Sequence, residues 1–200
     1  MATTHKIELK EEVFDQLLEM CISLFRSGQK KDVIAMMEMM MDHPEVPVHY
    51  PYHHFILPAA LLTAAAMETG EKDEETLREE LWTARKRARQ VPGGFCGFCG
   101  ACGAGIGAGI FLSVYTESTP MSVETWQWCN ELTGICLKAV STVAGPRCCK
   151  RTCFLSVQAA VPYLEQRLGL HLSMPAEIIC KYKDHNPTCK KNACPFYTAE

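Results

Sequence analysis

The chain has 200 residues, 48% of them hydrophobic, which is enough for one domain with a sizeable core or two small ones. Its 20 basic and 23 acidic side chains leave a formal net charge of −3, so no whole-molecule basic field exists to bind nucleic acid or an anionic membrane. The polar start from Met1 to Glu12 lacks an apolar leader, and no later apolar run reaches the roughly 18 residues of a spanning helix, so the expected location is the cytoplasm, with no membrane partner.

Helical periodicity begins at Glu11, where Val13, Phe14, Leu17, Leu18, Cys21 and Ile22 share one face as far as Phe25. Gly28 stops that segment, and Lys31 to Met41 resumes it as the second member of an antiparallel helix pair. Met36, Met37, Met39, Met40 and Met41 fall on this second helix and suit an adaptable core better than a binding surface. His43 to Tyr52 contains Pro44, Pro47 and Pro51, which favour an ordered extended loop leading into His53 and His54. Leu57 to Glu68 reads as an apolar helix with Pro58 in its first turn and Gly70 as its stop. Glu74 to Gln90 reads as an amphipathic helix with Leu77, Leu81 and Trp82 inward, and Glu79, Glu80, Arg85, Lys86, Arg87 and Arg89 on a solvated face. Beyond a glycine-rich stretch, Ser122 can cap a helix to about Val143; Gly145-Pro146 breaks it, and Lys150 to Leu168 forms another, kinked at Pro162. The tail from Leu170 is loop-like, and no sustained β alternation occurs. The expected fold class is therefore all-α: a single compact helical domain, 1–200, in which 1–91 is a helical support and 92–200 a cysteine-rich, metal-binding part.

Twelve cysteines occur, and Cys21 is the only one before residue 96. A cytosolic chain keeps thiols reduced, so clustered ones point to metal or redox chemistry. In "GGFCGFCGACGAGIGAGIF", Cys96, Cys99 and Cys102 recur at a spacing of three, each followed by glycine, so the backbone can approach sulfurs that face one site. A bacterial ferredoxin run would continue with a further cysteine and a proline, where this chain has Ile106 and Gly107. The alternating Gly103, Gly105, Gly107 and Gly109 follow no strand and precede no Gly-Lys-Ser/Thr, so a close helix contact explains them better than a phosphate loop.

"GPRCCKRTCF" places Cys148, Cys149 and Cys153 at a helix start beside Arg147, Lys150 and Arg151, a setting expected to lower thiol pKa. "CKYKDHNPTCKKNACPFY" places Cys180, Cys189 and Cys194 in the tail, where His185 could complete a Cys3His zinc knot, although the spacings favour iron–sulfur. Cys129 and Cys136 lie seven apart on one helix and, with Cys21, are packing residues. Nine clustered cysteines could fill two four-iron clusters with one spare, or leave an iron site open to substrate. The expected cofactor is an iron–sulfur cluster, 4Fe-4S in type, with zinc as the alternative. His49, His53 and His54, flanked by Tyr50 and Tyr52, form the second candidate site, with His53 and His54 as proton-transfer groups.

Taken together, "HYPYHHFILPAAL", "GGFCGFCGACGAGIGAGIF", "GPRCCKRTCFLSVQAAVPYL" and "CKYKDHNPTCKKNACPFY" resemble, in that order, a cysteine-rich prokaryotic domain family of unknown function, family 5714. Some of its relatives are joined to methyltransferase-like domains in anaerobes. The resemblance covers about His49 to Tyr197 and implies that His53, His54 and the nine clustered cysteines fall on motif positions. Tyr50 and Tyr52 stand where the family motif has a glycine and an acidic residue, which leaves His49 without an assigned role. The functional expectation is a redox or sulfur-handling enzyme, of oxidoreductase, sulfur-transferase or desulfidase type, acting on a small-molecule substrate or a redox partner protein. Two alternatives are an electron- or cluster-carrying partner protein and a zinc-structured scaffold that serves a methyltransferase or other neighbour.

Overall fold

Helix α3 (Tyr52–Thr69) is apolar nearly all round, and such a helix is stable only when other elements cover it on every side. It occupies the centre. The computed structural model describes residues 8–199, so the first seven residues of the polar start lie outside the description. Around α3 pack α1 (Glu11–Ser27), α2 (Val33–Met41), α4 (Glu74–Ala88), α6 (Gly103–Tyr115) and α8 (Cys149–Leu168). The one-turn α5 (Phe95–Phe98) precedes α6, and α7 (Glu124–Val140) joins α6 and α8 on the outer side. Beyond α8 the chain has only 3-10 turns at Lys183–His185 and Lys191–Ala193, and no strand occurs among the described residues. The all-α expectation and the loop-like tail are both observed.

α1 and α2 pack chiefly on α3 and little on one another, so they are two separate covers and not the expected pair. The methionines of α2 are core, with Met36, Met37, Met40 and Met41 buried, and the Cys21 thiol donates to the Met40 sulfur at 3.6 Å. α3 starts five residues earlier than its apolar run suggests: Pro51 is its N-cap, and His53 and His54 lie in its first turn, not in a loop. Pro58 sits within the helix, where it offers no N–H to the His54 carbonyl. Two residues of α4 correct the expected faces. Trp82 is 45% exposed, while Arg85 is buried, its guanidinium joined to Glu11 and Asp15 of α1 and lying over the Phe14 and Trp82 rings.

The glycines of α6 serve helix contact, as expected. A Cβ on Gly105 would stand 2.7 Å from Leu137 of α7, and one on Gly107 would stand 3.1 Å from the His54 carbonyl and from Pro58. At Gly103 it would fall within the His54 ring. Ser122 does not cap α7, whose N-cap is Val123; its hydroxyl instead accepts the Thr119 N–H at 3.0 Å and closes the preceding turn. Cys136 is fully buried and donates to the Ser156 carbonyl, and Cys129 is packed against the core, so both are packing residues.

Candidate functional site

The first turn of α3, the segment from Val91 to Gly103, and the start of α8 enclose a cavity of about 1100 Å3. Cys96 reaches it from α5, Cys102 from the N-cap of α6, and Cys149 from the first position of α8. Gly94 and Gly100 have φ of +83° and +70°, a left-handed conformation that lets this cysteine run reverse direction twice between α4 and α6. Of the opening trio only Cys96 and Cys102 line the cavity; Cys99 is exposed at the C-cap of α5. Cys153, one turn beyond Cys149, is fully buried behind this wall, its thiol directed at the His53 carbonyl at 3.8 Å.

The thiols at the start of α8 are not easily ionised, which corrects the expectation from their basic neighbours. Burial pushes Cys149 up to about 12, and the Cys102, Cys148 and Cys96 thiols add like charge. Cys153 is also held well above its ordinary value, first by burial and then by Cys149 and Cys102. Lys150 is itself buried and turned away, its ammonium donating to the Met41 carbonyl at 3.3 Å and lying over the Tyr182 ring at 4.5 Å. Desolvation outweighs the favourable charge because Lys150 is spent on the core.

All three candidate histidines line the same cavity. His53 donates from Nδ1 to the Tyr50 carbonyl at 2.8 Å, and His54 from Nδ1 to the Val91 carbonyl at 3.1 Å. A carbonyl can only accept, so in both neutral rings the lone pair is on Nε2. The His53 Nε2 is buried and has no hydrogen-bond partner among the described residues. Burial holds both imidazoles below their ordinary pKa of 6.5, with Lys150 adding to the effect at His53. At neutral pH they are acceptors.

His49 has a different place. Its Nδ1 accepts the Cys149 backbone N–H at 3.4 Å, and its Nε2–H donates to the Asn186 side-chain oxygen at 2.9 Å. Asn186 in turn donates to the Cys148 sulfur at 3.6 Å. Cys148 faces a second, small cavity with Cys180, Cys189 and Cys194, so the triplet Cys148, Cys149 and Cys153 is divided among three surroundings. His185 lies outside that small cavity, and Cys148 occupies the place the sequence suggested for it. Arg151, expected beside these thiols, is buried and lines both cavities, and Asn186 belongs to the site without having been expected there. No spacing rule marks an asparagine whose partners are 38 and 137 residues away.

Among the described residues, no group of three or more His, Cys, Asp or Glu side chains is placed so that it could hold a metal ion. The thiols border cavities and do not converge on one point. No helix among those residues is long and apolar enough to cross a membrane. The model of a family of unknown function, DUF5714, matches residues 20–197, which extends the resemblance back into α1. No curated protein and no solved structure matches the chain.

Proposed function

The chain belongs to the DUF5714 family of unknown function, and from the wide cavity and the thiols that border it we propose that it is an iron–sulfur protein, a redox or sulfur-handling enzyme whose cluster sits at Cys96, Cys102 and Cys149. The observation that carries the reading is one cavity of about 1100 Å3 bordered by three thiols and by the unpartnered Nε2 of a buried histidine. That volume is sufficient for a four-iron cluster and a small substrate together, and the donor set suits iron with one position left to a non-thiolate ligand. Cys102 is the N-cap of α6, where backbone N–H groups favour anionic sulfur, whereas burial keeps Cys149 protonated until a metal would displace its proton. When bound, the cluster would supply electrons or a Lewis-acidic iron.

The remaining residues give the cavity its other properties. His53 and His54 are neutral acceptors, suited to take a proton from a substrate in the cavity. Arg89, Arg147 and Arg151 also border it and favour an anionic small molecule. A half-open cavity of this size leaves room for a substrate, which favours an enzyme over an electron carrier.

Anaerobic purification with iron and acid-labile sulfide analysis tests the reading. The protein should be brown, absorb broadly near ~400 nm through thiolate-to-iron charge transfer, and bleach in air. Cys96→Ser, Cys102→Ala and Cys149→Ser should each lower iron and sulfide together, while Cys99→Ser should have the smallest effect of the cysteine variants near the cavity. A Cys102→Ala protein with full iron and sulfide would overturn the assignment.

A further inference from the structure

The small cavity lies where the tail crosses the start of α8. Four sulfurs border it: Cys148, from the N-cap of α8, and Cys180, Cys189 and Cys194, from a segment with no α-helix. From this arrangement we propose that these four cysteines form a second metal site, distinct from the wide cavity, which holds one divalent ion of the zinc class and fastens the tail to the helical body.

Size separates this site from a cluster site. The cavity measures about 20 Å3, on the scale of one water molecule or one ion. A four-iron cube does not fit that space, whereas a single tetrahedral ion with Zn–S bonds of about 2.3 Å does. As they stand, no three of these side chains are grouped closely enough to hold a metal ion, so the proposed site requires the four sulfurs to move together on metal uptake.

Two hydrogen bonds are aimed at these sulfurs: the Lys191 N–H donates to the Cys189 sulfur at 3.4 Å, and the Asn186 side-chain amide donates to the Cys148 sulfur at 3.6 Å. Such N–H···S bonds stabilise thiolate and have little value to a protonated thiol. Lys191 adopts φ of +48°, a left-handed conformation uncommon for a non-glycine residue, at the turn that delivers its N–H to Cys189.

Charge gives an independent argument. Four thiolates around a divalent ion carry two excess negative charges, and Arg151, Lys183 and Lys190 border the same cavity to offset them. Soft thiolates in a tetrahedral set select zinc over calcium or magnesium. The need is structural. The segment from Leu170 has no α-helix and is held to the body by a few buried side chains such as Ile178, Tyr182 and Phe196 and by dispersed polar bonds, among them Tyr182 to Asp42 at 2.8 Å and the Val33 N–H to the Ser173 carbonyl at 3.0 Å. A metal bond in such a segment substitutes for missing core.

The test is metal analysis of the anaerobically purified full chain, wild type and Cys148→Ser, Cys180→Ser, Cys189→Ser and Cys194→Ser. Wild type should hold about one zinc per chain, and the four variants should lose it, while Cys189→Ser and Cys194→Ser keep the iron and sulfide of wild type. Loss of iron from Cys102→Ala with zinc retained would show the two sites to be separate; a failure of the iron reading leaves the zinc result intact. Should the variants not fold, wild type depleted by a chelator and titrated with Co2+ should give the intense visible bands of a tetrahedral tetrathiolate ion, and zinc should displace them. Wild type without zinc, zinc retained in all four variants, or a single sulfide-free iron lost from the tail variants would each overturn the proposal.

Discussion

His49 and Asn186 are joined by a 2.9 Å hydrogen bond across 137 residues of chain, and the two side chains connect the walls of two different cavities. His49 receives the Cys149 N–H on one side, and Asn186 reaches the Cys148 sulfur on the other. Adjacent cysteines thus border different cavities, and one histidine–asparagine pair connects them.

His49→Ala should therefore loosen the tail before it affects the helical body. Removing the imidazole leaves the Cys149 N–H short of a partner, while the Asn186 oxygen keeps the Thr188 N–H and hydroxyl, so the cost should be about 1 kcal/mol. Limited proteolysis should cut first between Leu170 and Tyr197. Equal protection of that segment in wild type and variant would show that the bond contributes nothing.

Gly109→Ala tests the α6–α7 contact. A methyl there would collide with the Thr133 hydroxyl and lie 3.2 Å from the Cys129 carbonyl, so the substitution should destabilise by about 1–3 kcal/mol despite the higher helix propensity of alanine. Thr133→Ala in the same chain removes the colliding oxygen and should restore part of the loss. Denaturant midpoints of the two single variants and the double variant measure that coupling; purely additive effects would mean that the helices move apart freely.

Arg85 gives an asymmetric prediction. It is buried, while its partners Glu11 and Asp15 are about half or more exposed. Arg85→Met leaves two carboxylates that water can solvate, and should cost less than about 2 kcal/mol. The double variant Glu11→Ala, Asp15→Ala leaves a buried guanidinium unpaired and should cost more than the methionine replacement. Thermal or denaturant unfolding that ranked them in the opposite order would assign the stabilisation to the arginine's packing alone.

His54 should make the protein acid-sensitive. Burial lowers its folded-state pKa below 6.5, so the unfolded chain binds the proton first as pH falls. The stability it contributes is complete above about pH 6.5 and is lost as pH drops from there toward the folded value, with a slope of at most about 1.4 kcal/mol per pH unit for one group. His54→Gln should flatten stability between pH 7 and pH 5, and an imidazole NMR titration should show a midpoint below 6.5. A midpoint above 6.5 would contradict the burial argument.

Local sequence determined the elements that depend on local chemistry. Gly28, Gly70 and Gly169 end α1, α3 and α8 in left-handed caps, the periodicity of α1 marks its buried face, and the alternating glycines of α6 anticipate its close helix contacts. It also marked the cysteines as chemical groups. Local sequence failed where burial or a distant partner decides. The first turn of α3 is helical although three prolines precede it, because Tyr52, His53 and Phe55 are buried there. Arg85 left its solvated face because α1 presents two carboxylates to it. Cys148 and Cys149 are adjacent at the start of α8, where successive side chains point about 100° apart, while Cys153 shares the face of Cys149 one turn on but is fully buried. The packing of α3, the cysteine loop and the tail around α8 alone decided which cavity each sulfur would border.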